Sequence, residues 1–226
     1  MNDFRASGKS SHPASRYGRQ DSKLLFLNGK DGMMEILAHE IAFDFDGVVA
    51  DTFRLFVQMA KRDYDVDIDY ESIKEYDFLR IIKMDQDHVA QLFSTLTYYP
   101  HELDLEPNAG AADVLTRIAE TAPPISVVTA RPISGPVERW FEKNIPRIRP
   151  DSIRISATSE STAKLEILKQ HGTRFFVEDR LDTCHLIAAQ GITPIVFDQP
   201  WNREAHPYTV VKCWDEIDSL ITWNGR

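Results

Sequence analysis

The chain has 226 residues, a net charge of −9, 42% hydrophobic residues and 27% charged residues. These values are ordinary for a globular protein and exclude disorder along most of the chain, while the acidic balance argues against broad binding of nucleic acid. No apolar run approaches the ~18 residues that span a bilayer. The start of the chain also lacks the apolar core of a secretory signal. The sequence therefore predicts a cytoplasmic protein that binds neither a membrane nor a nucleic acid polymer.

The chain contains two cysteines, Cys184 and Cys213. Two are too few for a disulfide framework or for a four-cysteine metal site. In a reducing compartment we expect both to remain free thiols.

The N-terminal part of the chain has two sections of different composition. Residues 1–23 are polar and lack periodicity, which is typical of a disordered extension. Residues 24–37 place the turn-like sequence NGKDG (28–32) between two apolar runs, a pattern that favours a β-hairpin. The role of residues 1–39 is left open.

From residue 40 onward, short apolar runs alternate with helical periodicity. The runs are rich in β-branched and aromatic residues, and the central ones are apolar on both faces, as in a parallel sheet covered by helices. The predicted strands are IAFDF (41–45), ISVVT (125–129), IRISA (153–157), RFFVED (174–179) and TPIVFD (193–198). The predicted fold class is therefore α/β, a doubly wound parallel sheet with its functional residues at the carboxyl ends of the strands.

One interval in this alternation is much longer than the others. The first strand ends near Asp46 and the second begins near Ile125, and a single crossover helix over about 109–121 fills only the last part of that interval. Residues 52–107 show helical periodicity and are predicted to form a helical cap inserted after the first strand. The predicted domains are thus a Rossmann-like core formed by 24–51 and 108–226, and a cap formed by 52–107.

The first predicted strand carries the most informative motif, Phe43-Asp44-Phe45-Asp46-Gly47. Alternation along a strand points Asp44 and Asp46 in the same direction. Two neighbouring carboxylates repel each other unless a cation or a shared proton relieves them. A helix cap explains one of these aspartates well, but explains two on one face poorly.

Three further positions follow the other strands. Thr129 ends the second strand, where a hydroxyl and free backbone N–H groups suit an anion, although a threonine is also a common cap. Lys164 opens the helical segment STAKLEILKQHG, where a cation opposes the helix dipole. Glu178 and Asp179 end the fourth strand, and strand alternation predicts that only one of them faces the site. Helix capping by Asp179 or Asp182 is the plainer interpretation.

Taken together, these motifs resemble those of the haloacid dehalogenase-like (HAD) hydrolase superfamily, phosphatase type. The four motifs lie within residues 40–200, each at a predicted strand or helix end, and the insertion has the position of that superfamily's first type of cap. Two C-terminal stretches, FDQPWNR (197–203) and CWDEI (213–217), are similar to the 5′-nucleotidases of the deoxy, cytosolic C type.

The resemblance implies catalytic roles for individual residues. Asp44 would be the nucleophile that forms an aspartyl-phosphate, and Asp46 would protonate the leaving oxygen and then activate water. Thr129 and the N–H of Ala130 would hold phosphoryl oxygens, and Lys164 would neutralise charge near Asp44. These three residues, together with Asp44, form the implied phosphate-binding site.

The resemblance also implies a Mg²⁺ cofactor. Its ligands would be the Asp44 carboxylate, the Asp46 carbonyl and Asp179. Two positions depart from the superfamily pattern, because Glu178 stands where a small residue is usual and Asp182 follows Asp179 after three positions instead of four. Whether Glu178 or Asp182 joins the metal is left open. Arg131 and Arg180 flank two motifs. Each could bind an anionic group of the substrate, but the preferred interpretation of both is a surface salt bridge.

The leading functional hypothesis is a Mg²⁺-dependent phosphomonoesterase acting on a small phosphorylated metabolite, with nucleotides among the candidates. Asp46 argues against carbon–halogen hydrolysis, because a halide leaves without a proton. The alternatives are phosphonate cleavage, which requires a cap lysine such as Lys61, Lys74 or Lys83, phosphosugar mutase activity, or a non-catalytic binding module on the same fold.

The aromatic residues of the predicted cap are expected to contribute more to the cap core than to base stacking. They are Tyr64, Tyr76, Phe78, Tyr98 and Tyr99. The sequence does not indicate an oligomeric state.

Overall fold

The computed structural model describes residues 35–77 and 82–223, and its centre is a parallel sheet of six strands. The strands are β1 (Ile36–Leu37), β2 (Ile41–Phe43), β3 (Ile125–Thr129), β4 (Ile153–Ala157), β5 (Phe175–Glu178), β6 (Thr193–Phe197), β7 (Thr209–Val211) and β8 (Ile221–Thr222). The order in the sheet is β4-β3-β2-β5-β6-β7, and β1 and β8 form a separate parallel pair. The predicted α/β class with a parallel sheet is confirmed.

Seven α-helices connect the strands in the part of the chain that the structure describes. They are α1 (Thr52–Tyr64), α2 (Gln86–Tyr98), α3 (Ala111–Thr121), α4 (Gly135–Asn144), α5 (Lys164–Gln170), α6 (Leu181–Ala188) and α7 (Trp214–Leu220). Short 3₁₀ segments cover Tyr70–Ser72, Pro100–Glu102, Pro150–Ser152, Ser161–Ala163 and Pro200–Asn202. None of the helices within the described ranges combines the length and apolar character that a membrane crossing requires.

The five predicted strands are all present, and two of them have exactly the predicted bounds, β3 and β4. The others are one to two residues shorter, because β2 ends before Asp44, β5 covers only Phe175–Glu178 and β6 ends before Asp198. Strand β7 and the short pair of β1 with β8 were not predicted. The predicted hairpin turn at 28–32 and the predicted extension over 1–23 lie outside the described residues.

Residues 52–107 lie between β2 and β3, and the described part of this interval contains α1 and α2. At its base, the backbone N–H of Asp51 donates to the carbonyl of Glu106 at 3.1 Å, and Asn108 donates to Val49 at 2.8 Å. Phe56 of α1 packs on Phe93 of α2, with ring centroids 5.2 Å apart. The division into core and cap at these boundaries stays a prediction.

The core under β2 is built from large aromatic side chains that also hold the loop after this strand. Phe43 packs on Trp214 with ring centroids 5.1 Å apart, and Phe45 contacts Trp140 edge to face at 5.0 Å. Buried indole N–H groups need acceptors. Trp214 donates to the carbonyl of Val48 at 3.0 Å, and Trp140 donates to the carbonyl of Leu105 at 2.8 Å. These contacts anchor both ends of the 52–107 interval to the sheet.

Strand β2 lies between β3 and β5. The chain first adds β3 and β4 on one side of β2, and then returns to add β5, β6 and β7 on its other side. In an open α/β sheet, this reversal leaves a crevice at the carboxyl ends of the central strands. The loops after β2, β3 and β5 therefore converge at one edge of the sheet, together with the start of α5, which follows β4.

Candidate active site

Asp44, Lys164 and Glu178 form a buried ion cluster at the carboxyl end of β2. Lys164 Nζ lies 2.9 Å from Asp44 Oδ1 and 2.9 Å from Glu178 Oε2, and all three side chains are almost fully buried. Burial and the neighbouring Glu178 charge raise the pKa of Asp44 well above its usual value, and Lys164 only partly offsets them. Burial opposes the charge of Lys164, but the two carboxylates outweigh it and raise the pKa of this ammonium. The structure thus holds a charged lysine against the candidate nucleophile.

Lys164 is the first residue of α5 and follows the 3₁₀ segment Ser161–Ala163. A cation at a helix N-terminus is unfavourable, and a buried one is more so. The two ion pairs compensate for this placement.

Both acids at the end of β5 reach the cluster. Carboxylate oxygens of Asp44, Glu178 and Asp179 all lie within 4.8 Å of one another. Of these two acids only Glu178 lines the cavity, and β5 ends at Glu178, so which of them would face a bound ligand stays a prediction. Asp182 is instead exposed at the start of α6, where it pairs with Arg180 at 3.3 Å.

The two neighbouring acids differ in how their oxygens are satisfied. Glu178 Oε2 binds Lys164, and Oε1 accepts from the backbone N–H groups of Asp179 and Arg180, both at 3.1 Å. Both carboxylate oxygens of Asp179 are buried and have no hydrogen-bond partner among the described residues. Burial and the charges of Glu178 and Asp44 raise the pKa of Asp179 well above its usual value. A buried acid without a partner, beside two others, is the arrangement that a hard cation would relieve.

Gly47 provides the space for the Asp179 carboxylate. Its φ is +77°, a region that residues with a side chain rarely adopt. A Cβ at this position would lie 2.3 Å from Asp179 Oδ2. The glycine that follows the two aspartates therefore allows the β2 loop and the acid of β5 to approach each other.

Asp46 is held by two residues from different parts of the chain. Arg131 contacts both carboxylate oxygens, with Nε 2.9 Å from Oδ2 and Nη2 2.7 Å from Oδ1, and Thr52 Oγ1 donates to Oδ1 at 2.6 Å. Burial opposes ionisation of Asp46, but the charge and hydrogen bonds of Arg131 outweigh it and lower the pKa of this carboxyl. The interpretation of Arg131 as a surface salt bridge is wrong, since its side chain is only 5% exposed.

Thr129 and Ala130 follow β3 into the same edge of the sheet. Thr129 is fully buried, and its hydroxyl accepts the backbone N–H of Arg131 at 3.2 Å. Its carbonyl accepts from the backbone and the hydroxyl of Thr158. Ala130 lines the cavity into which Asp44 opens.

This cavity has a volume of about 390 Å³ and is lined mainly by residues with charged or hydroxyl groups. Its walls come from the β2 loop, the β3 loop, the segment before α5, the end of β5, and Tyr76 of the 52–107 interval. The lining residues are Asp44, Asp46, Tyr76, Ala130, Ser159, Glu160, Ser161, Thr162, Lys164, Glu178 and Arg180. Arg180 lies over the Tyr76 ring at 4.8 Å, so the 52–107 interval reaches the site through this pair.

Two amide side chains that the sequence reasoning did not single out support the site loops. Gln199 donates to the carbonyl of Gly47 at 2.8 Å and accepts from the Tyr70 hydroxyl at 2.7 Å. Asn202 donates to the carbonyls of Asp179 and Phe197, both at 2.8 Å. Both amides belong to the FDQPWNR stretch, but nothing in the sequence indicates which loops they contact.

Comparisons with known proteins identify a matching family and a shared fold. The family model of "5′ nucleotidase, deoxy (pyrimidine), cytosolic type C protein" matches residues 38–225. No curated protein sequence matches the chain.

Several solved structures share the fold. A HAD hydrolase of family IA, variant 3, from Entamoeba histolytica HM-1:IMSS is 16% identical, with a TM-score of 0.52 over 83% of this chain and 98% of that one. A predicted phosphoglycolate phosphatase from Haemophilus somnus 129PT is 13% identical, with a TM-score of 0.53 over 84% and 99%. A dehalogenase solved with an intermediate complex is 10% identical, with a TM-score of 0.57 over 85% and 100%. At these identities, the structural likeness shows the fold alone.

The family match spans the sheet, all the residues gathered at its carboxyl edge, and the C-terminal stretches whose amides support them. The chain therefore belongs to the 5′-nucleotidase, deoxy (pyrimidine), cytosolic type C family and is a HAD-like hydrolase of phosphoric monoesters.

Proposed function

We propose that the protein is a Mg²⁺-dependent phosphomonoesterase that uses Asp44 as its nucleophile and acts on a small metabolite, with a nucleoside monophosphate as the first candidate. The observation that carries this proposal is the contact of Asp44 with Lys164 at 2.9 Å, beside the unpartnered carboxylate of Asp179. A nucleophile held next to a cation, at the bottom of a polar cavity, suits attack on a dianionic phosphate.

In the first step, an Asp44 oxygen attacks phosphorus and the bond between phosphorus and the leaving oxygen breaks. Lys164 offsets negative charge as the phosphate approaches Asp44, and Thr129 and the N–H of Ala130 would hold phosphoryl oxygens. Asp46 would deliver a proton to the leaving oxygen. Because the Arg131 contact favours the anion of Asp46, this contact has to weaken when substrate binds.

In the second step, water attacks the phosphorus of the aspartyl-phosphate and Asp46 accepts a proton. The structure holds Asp46 in the ionised form, which is the form that this step requires. The protonation state of Asp46 in the structure therefore suits the second step and not the first.

The residues present fit a Mg²⁺ ion. The proposed ligands are the Asp44 carboxylate, the Asp46 carbonyl and Asp179, whose two oxygens have no other partner among the described residues. When bound, the ion would offset the charge of the acids and polarise the phosphoryl group. Glu178 is already satisfied by Lys164 and two backbone N–H groups, so we assign it to holding Lys164.

The alternative functions find less support. Phosphonate cleavage needs a lysine from the 52–107 interval in the cavity, but Lys164 is the single lysine that lines it within the described ranges. Lys61 instead pairs with Asp65 and Asp67, and Lys74 donates to the carbonyl of Glu71. A phosphosugar mutase or a non-catalytic module would be distinguished by product analysis and by turnover.

Asp179 and Glu178 are expected to differ sharply in metal binding. Asp179→Asn should weaken Mg²⁺ binding by more than roughly 100-fold, since even residues outside the ligand set cost about 10–100-fold. Glu178→Gln should weaken it by no more than about 10–100-fold, because Glu178 lies outside the proposed ligand set. In EDTA, Asp179→Asn should also raise the Tm, because it removes a buried carboxylate without a partner. Calorimetric titration of Mg²⁺ and thermal unfolding measure both effects.

Equal losses of Mg²⁺ affinity in the two variants, or a larger loss in Glu178→Gln, would contradict this ligand assignment. A Tm for Asp179→Asn that still rises with added Mg²⁺ as in the wild type would contradict it as well.

We propose that the 52–107 interval acts as a lid that excludes water during the first step and contributes to substrate choice. Its side chain in the cavity is Tyr76, which packs edge to face on Phe53 at 5.7 Å and supports the Arg180 guanidinium. Phe78, another aromatic residue of this interval, lies outside the described residues. Tyr98 and Tyr99 are exposed, and Tyr64 stacks on His88.

A panel of phosphorylated metabolites, nucleotides first, tests both the activity and the role of Tyr76. With Mg²⁺, the wild type should hydrolyse 4-nitrophenyl phosphate and prefer one group of metabolites. Tyr76→Ala should change relative kcat/KM among metabolites by about tenfold while 4-nitrophenyl phosphate is spared, because a small substrate makes few contacts beyond its phosphate. Tyr98→Ala, at an exposed position, is the matched control. Unchanged ratios in Tyr76→Ala would contradict the assignment, and absence of Mg²⁺-stimulated hydrolysis in the wild type would refute the proposed function.

A further inference from the structure

Arg131 joins the candidate acid–base residue to the helical insertion. Its Nε and Nη2 contact the two oxygens of Asp46 at 2.9 and 2.7 Å. Its Nη1 donates to the backbone carbonyls of Leu96 and Thr97, at 2.7 and 2.8 Å, in the last turn of α2. One side chain thus bridges the loop after β2 and the end of an insertion helix.

The guanidinium is fixed on every side. Four hydrogen bonds use its donors, its side chain is buried, and its centre lies 4.9 Å over the Phe45 ring. A planar guanidinium that binds both oxygens of a carboxylate sets the plane of that carboxylate, which the point charge of a lysine cannot do. Since Arg131 is itself held by α2, the plane of Asp46 is set by the insertion.

The two carboxylate oxygens of Asp46 accept different numbers of hydrogen bonds. Oδ1 accepts from both Thr52 Oγ1 and Arg131 Nη2, so its two lone pairs are used. Oδ2 accepts from Arg131 Nε in the structure described, which leaves one lone pair of this atom available. Asp46 lines the cavity beside Asp44. The contacts therefore select Oδ2 as the atom that can receive a proton there.

We propose that Arg131 is a positioning residue for the second half of the reaction, orienting Oδ2 of Asp46 toward the attacking water. In that step, the water oxygen bonds to phosphorus while the bond from phosphorus to the Asp44 oxygen breaks. The electron pair returns to the Asp44 carboxylate, and the proton of the water goes to Asp46 Oδ2. This inference rests on the proposed aspartyl-phosphate mechanism.

Loss of this orientation should affect the two half-reactions unequally. With 4-nitrophenyl phosphate, the leaving group needs little help from an acid, so formation of the aspartyl-phosphate should continue. Hydrolysis of the intermediate depends on proton acceptance by Asp46 and should slow down. General-base assistance is typically worth about 10²–10⁴-fold.

The test is pre-steady-state kinetics of Arg131→Met with 4-nitrophenyl phosphate and Mg²⁺. We expect kcat to fall about 10²-fold, with kcat/KM within about threefold of the wild type because KM falls together with kcat. A burst of 4-nitrophenol close to one equivalent should appear, and acid quenching should trap phosphorylated protein.

Thr52→Val is the second variant, because it keeps the side-chain shape and removes one hydrogen bond to the same carboxylate. It should give the same pattern with a smaller fall in kcat, about threefold to tenfold, as expected for one hydrogen bond. Arg117→Met removes an exposed arginine that also pairs with a carboxylate and covers an aromatic ring, and it should leave both parameters unchanged.

Other kinetic results would contradict either the positioning role of Arg131 or the proposed mechanism. A proportional fall of kcat and kcat/KM in Arg131→Met and Thr52→Val, without a burst, would overturn the positioning role. If Arg131→Met does not fold, the outcome for Thr52→Val alone decides, with a burst supporting the inference and no burst refuting it. A wild type that hydrolyses the substrate but yields no phosphorylated protein in any variant would refute the aspartyl-phosphate mechanism instead.

Discussion

Replacing Asp44 with asparagine is expected to lower kcat for phosphomonoester hydrolysis by roughly three to six orders of magnitude, the range seen when a catalytic nucleophile is removed. The amide keeps the shape of the side chain but loses the charge that attacks phosphorus. Asp44 is buried and contacts Lys164 at 2.9 Å, so the substitution also removes one of the two charges that hold this lysine. Steady-state kinetics and acid-quench labelling measure the loss of turnover and of the phosphorylated intermediate.

The fold of this variant should persist, since Glu178 still pairs with Lys164. Burial raises the pKa of Asp44, so removing its charge eliminates an unfavourable charge from the interior. Asp113→Asn, at a largely exposed aspartate, is the control and should retain wild-type kcat. A variant at position 44 that kept more than about a tenth of wild-type kcat would refute the nucleophile assignment.

Replacing Lys164 with methionine is expected to destabilise the protein by roughly 3–5 kcal/mol in the absence of metal, because it leaves two buried carboxylates without their cation. Methionine has a similar length, so little packing is lost. Lys169→Met, at an exposed lysine of the same helix that binds Gln190, should change stability by less than about 0.5 kcal/mol. Urea unfolding in EDTA measures the difference in the free energy of unfolding.

The cost of Lys164→Met should depend on pH in a defined direction. In the wild type, the pKa of Glu178 is lowered by Lys164 against the opposing effect of burial, so its stabilising contribution is present above the unfolded pKa and is lost in acid. Without the lysine, burial raises the pKa of Glu178 above its unfolded value, and the folded state then binds more protons. The difference between variant and wild type should therefore shrink as the pH falls from about 8 towards about 5. A difference independent of pH would show that lost packing dominates.

Much of the fold follows from local patterns in the sequence. The apolar runs that became β2 to β6 are strands because β-branched and aromatic residues flanked by helical periodicity have few other ways to bury both faces. The positions of Asp44, Thr129 and Lys164 at strand and helix ends are local properties too. Parallel strands in one sheet place their carboxyl ends together, so the sequence alone predicts that these residues lie at one edge of the sheet.

The orientation and pairing of side chains depended on contacts between distant parts of the chain. Asp179 faces Asp44 because β5 ends one residue earlier and because Gly47 leaves space for it, and neither fact is visible in a strand pattern. Arg131 binds Asp46 and the end of α2 across 85 and about 35 positions of sequence, so local reasoning interpreted it as a surface residue.

Sequence alone therefore determined the fold class, the edge of the sheet that carries the site and the residue types gathered there, because secondary structure and parallel topology respond to local periodicity. Only the tertiary structure decided which acid stays without a partner and what orients Asp46. Those outcomes depend on burial and on hydrogen bonds between segments far apart in the chain, where a shift of one residue at a strand end changes which side chain faces the cavity.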